Sequence, residues 1–230
     1  MVGLNVLFIL VSLIGLVITL WAQAKVRGNY SKWSRVRARS GITGAEAARM
    51  ILDRNGLRHV AVEPIRGKLT DHYDPRSRVV RLSEGVYASD SVAAISIAAH
   101  ECGHAIQHQE AYGALVLRHR MVPVLSFTSG LAPFLLLGGI FFKLSGLFLA
   151  GLIFFSLAVL FHIVTLPVEF NASARAKKIM VREGFINGAT EERGTRKVLG
   201  AAALTYVAGA LVALMELLQY VALFILQSDD

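Results

Sequence analysis

Four long apolar runs constrain this chain more than any other feature. Val2 to Ala22, Met121 to Phe142 and Ser145 to Leu166 contain no Asp, Glu, Lys or Arg, and Gly200 to Leu226 contains only Glu216. A helix needs about 20 such residues to cross the hydrocarbon core of a bilayer, and each run reaches that length. A soluble protein with a rich core would spread its apolar residues over all its elements. Here the 54% hydrophobic content is gathered into blocks, so four transmembrane helices are expected. A cleaved signal peptide would have a shorter apolar stretch with basic residues before it, so the first run reads as a retained anchor.

The formal charge of +8 comes from 24 basic and 16 acidic residues, and 23 of those 24 Lys and Arg lie in 23–120 or 167–199, with Lys143 the exception. Loops on the cytoplasmic face carry such an excess. Both polar regions are therefore expected on that face, on either side of a hairpin of spans two and three turned by Lys143-Leu144-Ser145-Gly146. The N-terminus and Asp229-Asp230 are expected on the other side. Lys25, Arg27, Lys32, Arg35, Arg37 and Arg39 read as topogenic and lipid-facing. Tyr30 and Trp33 read as interfacial aromatics. No groove-reading or base-stacking motif accompanies the charge, so nucleic acid is not an expected partner. The single cysteine, Cys102, excludes an intramolecular disulfide.

Within 24–120, Thr43 and Glu46 have capping-box spacing. Ala47, Met50, Ile51 and Leu57 form an apolar stripe, and Asn55-Gly56 is a stop, so a structural helix is predicted. The pattern then turns to β: Val60, Val62 and Ile65 alternate, and Leu69–Tyr73 and Arg78–Leu82 flank a turn at Asp74-Pro75-Arg76-Ser77. Ser89-Asp90-Ser91 offers N-caps for a helix running to about Gln109, small and apolar through Ala99 and too short to span a bilayer.

That helix carries His100-Glu101-Cys102-Gly103-His104, an HExxH sequence. Residues four apart share a helix face, so both imidazoles can reach one zinc ion. Glu101 lies about 100° round the helix, where it can act on water as general base instead of ligating. Gly103 lets another segment come close, for function or for packing alone. So short a motif also arises by chance, and a third protein ligand must decide. The metzincin position for that ligand is Glu110, and no aspartate follows His104 before Asp229. Glu183, Glu191 and Glu192 read as solvated loop, Glu216 as mid-membrane, and Glu110 as more than a turn beyond the metal. Glu169 stands out. It follows Pro167, at the expected start of a new helix, and two crossings return it to the face of His104. The competing reading is a first-turn Glu that complements a helix dipole.

HECGH followed after a two-span hairpin by PVEFNASARA, with the HYDPRSRVVRLS segment before it, resembles the YugP-like neutral zinc metallopeptidases. These are relatives of the membrane gluzincins that include HtpX and the CAAX prenyl proteases. The resemblance implies one Zn2+ held by His100, His104 and Glu169, Glu101 as base, endopeptidase-type hydrolysis, and a plasma membrane location. Many gluzincins have an Asp four residues after the ligating Glu; here that position is Ser173, leaving Ser173 or Asn171 to orient a zinc-bound His. By the same resemblance Arg78–Leu82 is the candidate edge strand for an extended substrate.

The expected fold is a mainly α membrane protein of about four transmembrane helices plus a small α+β zincin-like catalytic domain carrying the HExxH helix. Its parts are 1–23 anchor, 24–120 catalytic region, 121–166 hairpin, 167–199 third-ligand helix and loop, and 200–230 last span with tail. His108 is either a cleft residue or a surface histidine at the helix end, and His72 is a candidate oxyanion stabiliser. His119 reads as part of a membrane-surface cluster, and His162, inside span three, has no assignable partner. A protein or peptide substrate and the lipid bilayer are the expected partners. The competing classes are a non-catalytic scaffold or pseudoenzyme retaining a structural metal, and a transporter or channel subunit.

Overall fold

The computed structural model describes residues 2–228; Asp229-Asp230 lie outside the described residues. The elements run α1 (Val2–Trp33), α2 (Gly44–Arg54), β1 (Ala61–Ile65), β2 (His72–Asp74), β3 (Val79–Ser83), α3 (Glu84–Tyr87), α4 (Val92–Gln109), α5 (Gly113–Phe141), α6 (Ser145–Arg182) and α7 (Ala189–Ser228). The chain is thus mainly helical with a three-stranded sheet. Four helices, α1, α5, α6 and α7, are long and apolar enough to cross a membrane, with mean hydropathies of 1.8 to 2.6 over their richest stretches.

Two compact units divide the chain. The first takes in α1 through Ala22, Val116–Pro167, and α7 from Thr205 on. Its helices expose Phe134, Leu137, Phe141 and Ile153, as surfaces solvated by lipid do. Inside it, Phe148 is fully buried and stacks on Phe224, ring centroids 6.0 Å apart. The α5–α6 hairpin closes tightly because Gly139 has no side chain: a Cβ there would lie 2.5 Å from the Phe148 nitrogen.

The second unit comprises Gln23–Leu115 and Val168–Leu204. Its core is built on Ile51, Leu52, Val60, Val80, Leu82, Ile95 and Met180. The predicted capping box is present, with the Glu46 amide donating to Thr43 Oγ1 at 3.2 Å and the Thr43 amide donating to Glu46 Oε2 at 2.7 Å. Asn55 ends that helix, and Gly56 follows in a left-handed conformation. Ser91 caps α4 by accepting from the Ala94 amide.

Several sequence expectations are corrected here. The sheet order is β1-β3-β2, with β1 parallel and β2 antiparallel to β3. The strand at 79–83, expected as an edge, is central and hydrogen-bonded on both sides, so it cannot receive a further strand. Pro167 does not start a new helix. It sits inside α6, which runs unbroken from Ser145 to Arg182. Proline removes one hydrogen bond and crowds one carbonyl, at about 3 kcal/mol, and a long helix packed in apolar surroundings tolerates that. Glu169 is therefore mid-helix, and the first-turn dipole reading falls.

Tyr30 and Trp33 do not present their rings as an exposed belt. The helix continues through the basic stretch, and both rings are buried at 7% and 5% exposure in the core of the second unit. Nor is Glu191 in a solvated loop. It lies in the first turn of α7 at 4% exposure, where it accepts hydrogen bonds from the Arg39 amide at 2.9 Å and the Asn187 amide at 2.7 Å. Glu183 pairs with Arg54.

Replacing Glu191 by Ala strands two part-buried backbone donors, each costing about 1–3 kcal/mol. Chemical denaturation of detergent-solubilised protein should show a loss of about 2 kcal/mol or more, and a smaller loss for Glu191→Gln, which keeps one acceptor oxygen. Equal stability of Glu191→Ala and the parent would mean the carboxylate does not tie these segments together.

Candidate metal centre

Helix α4 is buried almost all round, and its composition explains why. Small residues let neighbours approach, while Ser96 returns its hydroxyl to the Val92 carbonyl at 2.6 Å and meets Thr195 Oγ1 at 3.1 Å. His100 and His104, one turn apart, lie edge to face with ring centroids 4.7 Å apart. Helix α6 supplies Glu169, 2% exposed. The approach is possible because residue 103 is glycine: a Cβ there would lie 2.8 Å from the Ala172 carbonyl oxygen and 3.2 Å from its Cα.

Three atoms converge. His100 Nε2 and His104 Nε2 are 3.2 Å apart, and Glu169 Oε2 lies 3.3 Å from the first and 3.6 Å from the second. Ligands about 2.0–2.1 Å from a common tetrahedral centre are separated by about 3.3 Å, so these distances match one face of a zinc coordination polyhedron. His100, His104 and Glu169 form a group able to hold a metal ion.

The remaining ring nitrogens fix which atoms face that group. His104 Nδ1 lies 3.0 Å from Gln107 Oε1. Gln107 cannot turn its amide round, because its Nε2 donates to the Val168 carbonyl at 2.9 Å and to Asn171 Oδ1 at 2.9 Å. Asn171 is held in turn, since Oδ1 also accepts from Arg175 Nε, a group that can only donate, at 2.7 Å. Arg175 is itself paired with Glu110 at 2.7 Å. The chain of partners therefore places a hydrogen on His104 Nδ1. The neutral ring then turns the Nε2 lone pair toward Glu169. On His100, Nδ1 is 3.1 Å from Ser173 Oγ.

A neutral imidazole nitrogen facing a carboxylate oxygen is repulsive unless a cation stands between them. The electrostatics agree. Burial disfavours the His104 imidazolium, yet the Glu169 and Glu101 carboxylates outweigh it and raise its pKa above the ordinary histidine value. A field that favours a proton there also favours a divalent ion.

Glu101 is 8% exposed and makes no hydrogen bond to another described residue. It lies outside the ligand group, acting on His104 through charge. Cys102 points elsewhere, toward the Ala48 carbonyl, and burial pushes its thiol pKa far up, which disfavours the thiolate that a metal ligand requires.

The structure thus brings together His100, His104, Glu169, Ser173 and Asn171. His108 and His72 stand apart from the triangle. His108 Nδ1 is 2.8 Å from the Tyr73 hydroxyl, and both line a cavity of about 260 Å³ with His59, Arg78 and Gln109. His72 Nδ1 donates to the Thr70 carbonyl at 2.8 Å. Sequence reasoning missed Gln107, Arg175 and Tyr73. For Gln107 a signal existed, a polar residue three positions after His104 on an otherwise small, apolar helix. Nothing local marks the other two.

The family described as "Putative neutral zinc metallopeptidase" has a model that matches residues 8–225. A protein of Bacillus subtilis (strain 168) named "Putative membrane protease YugP" is 59% identical over 224 residues, which cover 97% of this chain and 99% of that relative. No solved structure matches.

Gly103→Ala tests the helix approach. At an open helical site the change would stabilise by up to about 1 kcal/mol, whereas forced overpacking costs about 1–3 kcal/mol. The new methyl would meet backbone, which cannot swing aside, so a net loss of thermal stability is expected in the metal-free protein. A more stable variant would contradict the close contact with Ala172.

Proposed function

The chain belongs to the family of neutral zinc metallopeptidases and carries four helices of membrane-spanning length, and from that premise we propose that it is a membrane-anchored zinc-dependent metalloendopeptidase of gluzincin type. The convergence of His100 Nε2, His104 Nε2 and Glu169 Oε2 within 3.2–3.6 Å carries the reading. In it, His100-Glu101-Cys102-Gly103-His104 is a catalytic HExxH motif, the second unit is a zincin-like domain, and these three residues hold one Zn2+. Zinc, when bound, acidifies water and polarises a carbonyl.

The chain's own groups do the rest. Glu101 is buried, close to the ligands and without a competing hydrogen bond, which suits a general base. It takes the proton of the attacking water and delivers it to the leaving amine. Gln107 holds His104 in the tautomer that presents Nε2, and Ser173 holds His100. Such partners orient ligands as importantly as the ligands bind, and their removal typically costs 10–100-fold in metal affinity.

Substrate is an extended protein or peptide segment. With β3 enclosed, two free edges remain. That of β1 carries Pro64, which lacks a donor, whereas β2 borders α4 and offers the outer edge of His72-Tyr73-Asp74. Main-chain pairing along β2 is the proposed binding mode, with the Tyr73–His108 cavity receiving a side chain. The distribution of Lys and Arg supports a cytoplasmic active face in a plasma membrane.

Purified protein should contain one zinc per chain. Glu101→Gln should retain that zinc and lose cleavage of an unfolded test protein by at least about 10²–10⁴-fold; a variant cutting as fast as the parent would remove Glu101 from the mechanism. Glu169→Ala should lose the metal. Gln107→Leu should bind zinc about 10–100-fold more weakly in a chelator competition.

A further inference from the structure

We infer that α1 and α7 frame a binding site for the phosphate headgroup of an anionic membrane lipid. A cavity of about 500 Å³ lies within the second unit. From α1 it is lined by Lys25, Asn29, Lys32 and Trp33, spaced so that they share one helix face. From α7 it is lined by Arg193, Arg196, Lys197 and, continuing along the same face, the small and apolar Gly200, Ala201 and Leu204.

Five of those side chains are cationic and none is acidic. Glu192, outside the lining, reaches Arg196 at 3.7 Å across an exposed contact. Arg193 and Lys197 have no ion-pair partner among the described residues. Like charges gathered round one cavity repel, and the arrangement is stable when an anion sits among them. It is also held in place. Gly194 lets α7 close on α1, since a Cβ there would lie 2.5 Å from Trp33 Cε3. The Lys32 ammonium lies 5.5 Å from the Trp33 ring centroid, a cation–π contact.

Two features select the ligand. Paired guanidinium groups match phosphate oxygens, whose geometry accepts two parallel N–H donors. Along each helix the cationic stripe also borders an apolar run: Lys25 is three residues past Ala22, and Leu204 lies within the run that starts at Gly200. A lipid phosphate satisfies the cations while its apolar part lies against Gly200, Ala201 and Leu204 of the lining. A dissolved phosphate or an acidic peptide would satisfy only the first. Basic pockets beside membrane helices are known to take anionic headgroups on these grounds.

The experiment titrates short-chain phosphatidylglycerol against the full-length protein in zwitterionic detergent and counts bound lipid by native mass spectrometry. Saturable binding is expected, in preference to phosphatidylcholine. The substitutions R193Q, R196Q and K197Q together should weaken it about a hundredfold, at about fivefold per charge. All three residues are exposed, and unchanged circular dichroism and zinc content check that the variant is folded. The pair K177Q and K178Q, exposed on α6 and outside the cavity, should leave binding unchanged. Equal weakening by both sets, or no preference over phosphatidylcholine, overturns the site. Inorganic phosphate alone or an oligoglutamate binding as tightly as the lipid overturns the lipid assignment.

Discussion

Two imidazole nitrogens and a carboxylate oxygen within 3.2–3.6 Å of one another is an arrangement that opposes folding unless a cation joins it. Three lone pairs converging in a buried place lose their water and repel one another until a proton or a metal ion stands between them. The second unit must therefore hold them there by other means. Helix periodicity aligns the two histidines, the bare backbone at Gly103 admits α6, and the amide of Gln107 locks one ring. The stability for this comes from apolar packing round Ile51, Leu82, Ile95 and Met180. A metal ion bound there would add to folding free energy, because a site built this way exists only in the folded chain.

The parts legible in sequence were those whose signals are local. A run of twenty uncharged residues announces its own helix, whatever it packs against. Thr43 with Glu46, and Ser91 before an apolar stretch, cap helices through hydrogen bonds made within one turn. The HExxH spacing places both imidazoles on one face whatever surrounds them. Glu169 was singled out by elimination, on a partly mistaken view of its helix. Pro167 was read as the boundary of a helix, and α6 simply continues through it, so the glutamate is delivered by a long rigid element and not by a helix start.

The parts not legible depend on partners far along the chain. Tyr30 and Trp33 among lysines have the composition of an interfacial belt, and only tertiary contacts bury them. Glu191 beside Glu192 looks solvated until the amides of Arg39 and Asn187 are brought to it. The strand at 79–83 reads the same at an edge as in the centre, since alternation reports a buried face and not the number of neighbours. Arg175 had no mark at all. Its part in fixing Asn171, and through it Gln107 and His104, rests on side chains from two helices meeting in one register.

If the chain is the gluzincin-type peptidase proposed above, that chain of partners sets its site apart from the wider gluzincin pattern. Where an aspartate would stand, Ser173 meets His100, and the other ring is held by the neutral amide of Gln107. A carboxylate partner would orient an imidazole and also make it more basic; a hydroxyl or an amide does the first with little of the second. In the proposed reading the negative charge at the centre is left to Glu169, as ligand, and to Glu101, which has no partner of its own. Geometry and charge are thus supplied by different residues: neutral groups fix the rings, and the carboxylate meant to move a proton is not tied up in holding anything.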